Sequence, residues 1–245
     1  MDEESIDIQL RPPTVVAERC IVLASLVRRL WIESSLSVND PGDWSAEAFD
    51  LREWLRAEGI WERLTPAESD FLQRPAGDLA EDEIAVLAWQ AEGLATLGWA
   101  LRLTTLLPPG VLGDITAVVQ AVPAPWDDTA AWTQNALLRS ESEIATERDR
   151  AEIHEWRIAI EGPRRLASGD ERREYEAAIA DVVREARMSL LLESDCADFV
   201  IGDRPIASFD DLDLERFSSL AEERLRALNW LCGFGTSWDE VPLDI

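Results

Sequence analysis

The sequence predicts a mainly α, multi-helix globular bundle with one small β-hairpin near residues 198–206. Three observations carry this. Apolar side chains recur at three- and four-residue steps in successive segments, which places them on single helix faces. Two stretches, Thr65-Pro66-Ala67-Glu68 and Ser140-Glu141-Ser142-Glu143, carry full helix-start signatures, in which a hydroxyl caps the helix and a glutamate three residues on returns the cap. At Phe199-Val200-Ile201-Gly202-Asp203-Arg204-Pro205-Ile206, β-branched residues flank a Gly-Asp turn, and the proline confines the hairpin to an edge.

Taken in order, residues 1–13 form an acidic, proline-terminated leader expected to be flexible, and residues 14–245 a single α-helical domain. A first helix from Thr14 aligns Val16, Cys20, Leu23, Val27 and Leu30. A second, carrying Phe49 and Trp54, stops at Glu58-Gly59-Ile60, where glycine accepts the left-handed turn of a helix end. A short helix through Phe71 and Leu72 follows the Thr65 cap. The segment from Asp82 to about Leu106 is the expected central helix, ended by Pro108-Pro109. Weaker helices around Ile115–Val122 and around Trp132 and Leu137 flank a break at Pro123–Trp126, so residues 122–127 are the natural place for an internal joint. The helix opened by Ser140 runs through Ile153, Trp156 and Ile160 to Gly162-Pro163. The clearest periodicities follow: Tyr175 to Leu190, then Leu214, Phe217, Ala221, Leu225 and Leu228.

Composition excludes several chemistries. With 23 basic and 49 acidic residues, the net charge of −26 repels phosphate backbones and anionic membranes, so neither nucleic acid nor membrane is an expected partner. Every basic residue is arginine, which removes the amine that Schiff-base and P-loop chemistry require. Cys20, Cys196 and Cys232 are odd in number and widely spaced, so they predict neither a disulfide framework nor a zinc site. The acidic start lacks the basic and apolar regions of a signal peptide, and no stretch matches the roughly 20 apolar residues of a membrane span, so cytoplasmic residence is expected.

The single histidine, His154, rules out a multi-histidine metal site. Among Glu152, Glu155 and Trp156 it reads as a partly exposed imidazole paired with a carboxylate. Asn229 sits inside the last helix, where asparagine needs a structural reason. It is expected to satisfy backbone groups beyond Gly233 and Gly235, with Arg224 and Arg226 paired to Asp239, Glu240 or Asp244. The carboxylate pairs Asp127-Asp128, Asp210-Asp211, Glu222-Glu223 and Asp239-Glu240 read as solvated faces and caps. Of the 11 tryptophans, Trp54, Trp89, Trp99, Trp156 and Trp230 fit apolar faces, whereas Trp44, Trp61, Trp126 and Trp238 flank loops as candidate exposed anchors.

Three segments together resemble the bacterial family catalogued as domain of unknown function 4272: Glu223-Arg224-Leu225-Arg226-Ala227-Leu228-Asn229-Trp230-Leu231 with Trp238-Asp239-Glu240-Val241 and Asp244; Glu92-Gly93-Leu94 through Gly98-Trp99-Ala100-Leu101 to Leu107-Pro108; and Ile153-His154-Glu155-Trp156-Arg157. Leu225 stands where a histidine is expected in many members and Ile245 where a threonine often closes the pattern. The resemblance implies a fold neighbourhood and carries no activity.

The expected function is therefore a non-enzymatic, acidic, partner-binding protein, in specific form an immunity protein that neutralises a basic toxin. No catalytic residue, metal or cofactor is assigned, and the partner is expected to be a basic protein. The alternative is an enzyme or small-ligand receptor with a pocket beside the last helix, contacted by Arg224, Asn229 and Asp239. Partner or ligand contacts are expected among Arg224, Asn229, Trp230, Trp238, Asp239 and Glu240.

Overall fold

The apolar stripe nearest the start of the sequence becomes a central rod. Helix α1 (Pro13–Ser37) buries Val16, Cys20, Leu23 and Val27 completely, with proline at its first position. The computed structural model describes residues 8–37, 42–106, 108–111, 115–193 and 196–243. Helix α2 (Trp44–Ala57) starts on the Asp43 side chain, which accepts from the Ala46 N–H. It ends at Gly59, whose φ of +70° allows its N–H to turn back to the Arg56 carbonyl and brings Ile60 into the core. Helix α3 (Pro66–Gln73) carries the expected capping box of Thr65 and Glu68.

Helix α4 (Glu81–Ala100) ends earlier than Leu106. The Leu103 N–H donates to the Gly98 carbonyl and the Arg102 N–H to the Trp99 carbonyl, with Arg102 in the left-handed region at φ +63°. This is a Schellman stop, with arginine in the slot that glycine usually fills, so termination comes from backbone hydrogen bonding before the prolines are reached. Helices α5 (Ile115–Ala121) and α6 (Ala130–Gln134) are short, and Leu137 lies beyond α6 and exposed. Helix α7 (Glu141–Ala159) opens on the Ser140 capping box. Gly162-Pro163 does not end the helical path. Ile160 closes α7 and opens α8 (Glu161–Leu166), where proline falls in a first turn whose N–H groups have no helical acceptor.

Helix α9 (Gly169–Met188) precedes the hairpin, in which β1 (Val200–Ile201) pairs antiparallel with β2 (Arg204–Pro205), Val200 opposite Pro205. Helix α10 (Asp211–Leu231) closes the fold, capped by the Asp210 side chain. The architecture is mainly helical with this one hairpin among the described residues. No described helix is long and apolar enough to cross a membrane.

Two apolar clusters share α10. Its first half packs Leu214, Phe217 and Leu220 with α9, the hairpin and Ile158. Its last turn packs Ala227, Trp230 and Leu231 with α1, α2 and α4. The leader is not loose throughout. The Gln9 and Arg11 N–H groups donate to the Cys232 and Leu231 carbonyls, and the Arg11 side chain donates to the carbonyls of Trp230 and Gly235. Residues 8–12 thus satisfy the orphan carbonyls at the end of α10, while residues 1–7 lie outside the described residues. The segment expected to be a joint is pinned too: Arg28 donates to the Val119 and Val122 carbonyls, and the Trp54 indole N–H to the Asp127 carbonyl.

Candidate functional site

The residues expected to contact a ligand beside α10 are mostly spent on the framework. Arg224 is buried against Glu92 of α4 at 2.6 Å, and Arg226 pairs with Glu223 on its own helix. Neither pairs with Asp239 or Glu240 as expected, because the nearer carboxylates already meet them; Asp244 lies outside the described residues. Asn229 is fully buried, accepts from Arg148 Nε and donates to the Pro242 carbonyl, so it holds the C-terminal tail. Trp230 and Trp238 are buried edge to face at 5.5 Å, beneath Arg11 and Arg19 respectively. Trp238 was expected near the surface but is only 4% exposed, packed over Gly93. Of the six residues, only Asp239 and Glu240 are exposed to a partner.

His154 departs from the expected exposed, carboxylate-paired imidazole. It is 5% exposed, edge-on to Phe199, and its Nε2–H donates to the Val200 carbonyl. Burial drives its pKa down to about 4; the Val200 bond opposes this, and Arg224 and Arg157 add to it. It is a neutral wedge that seats the hairpin on α7. The abundant carboxylate pairs are spent on the fold: Asp127 accepts from the Ala124 N–H and Asp128 from the Ala130 N–H within their own turn, and Asp211 ties α10 to Arg165 of α8. Among the described residues, no three His, Cys, Asp or Glu side chains are grouped to hold a metal ion.

The exposed chemistry gathers elsewhere, in a groove of about 400 Å³ between α1, α2 and the turn after α5. On α1, Arg28, Trp31, Ile32 and Ser35 fall at steps of three, one and three, which is one helical stripe. On α2, Trp44, Glu47 and Asp50-Leu51 form the facing stripe. Pro125 and Trp126 close the third side. Trp31, Trp44 and Trp126 line the groove with Ile32 and Leu51, and the acidic residues Glu47 and Asp50 belong to the same lining. Arg28 keeps its positive charge at neutral pH: burial lowers its pKa only to about 10, Asp127 opposes that fall, and its guanidinium donates to the Val119 and Val122 carbonyls, so the lining sets one cation against the two carboxylates of Glu47 and Asp50.

Trp126 is held against its own backbone preference. The Asp127 N–H donates to the Ala124 carbonyl at 2.9 Å, closing a turn with Pro125 second and Trp126 third at φ +74°. That is the type II pattern, whose third position favours glycine. A bulky residue there costs roughly 1–2 kcal/mol, yet the side chain stays 60% exposed and so recovers little of that by burial. Of the four tryptophans expected as anchors, Trp44 and Trp126 line the groove, Trp61 lies half-buried under Arg56, and Trp238 is buried. Trp31, Glu47 and Asp50 were missed; the stripe spacing on α1 and α2 was the available signal. Three other hollows among the described residues are lined by Leu101–Leu103 and Trp132, by Arg150 and Arg187 with Leu190–Leu192, and by Ile158 and Leu214, and none of these three gathers three indoles.

The helical class and this groove give no activity by themselves, but the chain's kinship is shown. Residues 2–167 match the model of the family described as domain of unknown function (DUF4272), and the chain belongs to that family. The match spans α1 to α8 and includes the whole groove, while the C-terminal segments at 223–241 lie beyond it. Comparison with curated proteins and with solved structures finds no match.

Proposed function

We propose that this protein is a non-enzymatic binding protein for a basic protein partner, docked at the groove of Trp31, Trp44 and Trp126. The observation that carries the reading is that groove: apolar, acidic at Glu47 and Asp50, and fitted with a strained, exposed indole on a chain of net charge −26. Indoles are the side chains best suited to anchor an interface, and the acidic field would speed encounter with a basic surface. A second copy of this chain, with the same charge, is a poor occupant. In its specific form the reading is an immunity protein that masks a basic toxin in the cytoplasm.

The test is retention of partners on the immobilised chain at low salt, compared with a chain carrying Trp44→Ala and Trp126→Gly. The reading expects a stoichiometric basic protein that elutes as salt rises and is lost from the double variant. Retention of the same protein by both chains would sink the groove as the docking site.

A further inference from the structure

We infer that the groove receives one guanidinium group, an arginine side chain of the partner, stacked on the indoles and hydrogen-bonded to Glu47 and Asp50; this rests on the partner-binding reading above. Flat indole walls alone would accept any apolar group, and carboxylates alone any cation. Together they favour a group that is flat, charged and rich in N–H donors at its edge. Guanidinium meets all three conditions, whereas an ammonium has no planar face to stack.

The protein builds this same trio elsewhere from its own residues. Arg56 lies 4.5 Å over Trp61 while paired with Glu53. Arg19 lies 4.2 Å over Trp238 while paired with Glu68. Arg139 lies 5.1 Å over Trp99 while paired with Glu143. In each case a guanidinium lies over an indole and pairs through its N–H groups with a carboxylate. In the groove, indoles and carboxylates of the same kinds surround about 400 Å³ of open space, and the arginine that lines it, Arg28, is turned to the Val119 and Val122 carbonyls. The volume is at the small end of the roughly 300–1,000 Å³ usual for ligand pockets, a scale suited to one long side chain and its backbone. Trp126 completes the third wall from a turn position that would be more stable as glycine.

The experiment is a calorimetric titration of the full chain with the peptide acetyl-Gly-Gly-Arg-Gly-Gly-amide, beside its citrulline and lysine counterparts. Citrulline keeps the shape of arginine and removes the charge. The expected result is saturable binding of the arginine peptide, roughly tenfold or more weaker binding of the citrulline peptide, and an intermediate lysine peptide. W126G, which relieves the turn and so keeps the fold, and the E47Q/D50N pair should each weaken the arginine peptide by about the same factor. Equal binding of the arginine and citrulline peptides, no binding of the arginine peptide, or arginine binding unchanged in both variants would overturn the inference. If the arginine peptide fails while the basic protein retained at low salt is still released by W126G, the partner-binding reading stands and the guanidinium assignment falls. If W126G and E47Q/D50N both retain that protein as the native chain does, the groove fails for both.

Discussion

Trp126 concentrates the conflict between local preference and position. Its left-handed backbone is one of three such non-glycine residues described, with Arg102 and Leu190, and the last two occupy helix-end slots where glycine is usual. Replacing Trp126 with glycine should raise stability by about 1 kcal/mol, the relief of strain less the added freedom of the unfolded chain. The midpoint of urea unfolding measures it, and a lower midpoint would show the indole to be a packing residue. His154 makes the opposite statement, a titratable group kept neutral. Its folded pKa of about 4 lies below the roughly 6.5 of an unfolded histidine, so the unfolded chain binds the extra proton first. Stability is therefore full above pH ~6.5 and falls by up to about 3 kcal/mol as pH drops toward 4. In His154→Phe, urea midpoints between those pH values should decline less steeply than in the native chain. An equal decline would place the acid sensitivity in other groups.

At the level of elements, helix ends and interhelical ion pairs do the organising. The side chains of Thr65 and Ser140 each accept from a backbone N–H three residues on, so their alanine variants should each lose about 1 kcal/mol, readable in thermal unfolding. Glu92 on α4 and Arg224 on α10 form a pair that is 6% and 4% exposed at the side chains, joining helices far apart in the chain. Glu92→Ala would remove the buried carboxylate that faces the Arg224 guanidinium and should cost about 3–5 kcal/mol. Replacing both partners with leucine or methionine should recover most of that loss, since the pair's own attraction barely exceeds its desolvation cost. The end of α10 depends on a close approach. A Cβ at Gly233, where φ is +91°, would come within 2.6 Å of the Gln9 carbonyl oxygen, so alanine there would dislodge residues 8–12 from the helix end.

For the whole molecule, 49 acidic against 23 basic residues set the long-range field, while the folding pairs off much of the arginine internally. Arg19, Arg29, Arg157 and Arg224 are buried with carboxylates, leaving a surface more one-sided than a scattered distribution of the same residues would be. Association with a basic partner should therefore slow steeply as ionic strength rises past the point where the screening length shrinks to ~10 Å, near 0.1 M. Stopped-flow association rates across a salt series would check this. A flat profile would mean that contact in the groove, and not the field, governs encounter.

Much of this protein was legible in the residues themselves. The helical class, the hairpin at 200–205, the caps at Thr65 and Ser140 and the Gly59 stop all depend on interactions within a few residues, which is why spacing reveals them. The family kinship was visible as well, although its model matches residues 2–167 and not the C-terminal segments that resembled it most specifically. The end of α4, the restart at α8, the burial of His154 and Trp238 and the partners of Arg224 were not legible, because each depends on what a distant segment places nearby. The groove belongs to that second kind. Trp44 and Trp126 stood out as candidate anchors because they flank loops, but so did Trp61 and Trp238, and only the packing of α1 against α2, with the 124–127 turn pinned across them, brings Trp31, Trp44 and Trp126 together around one groove.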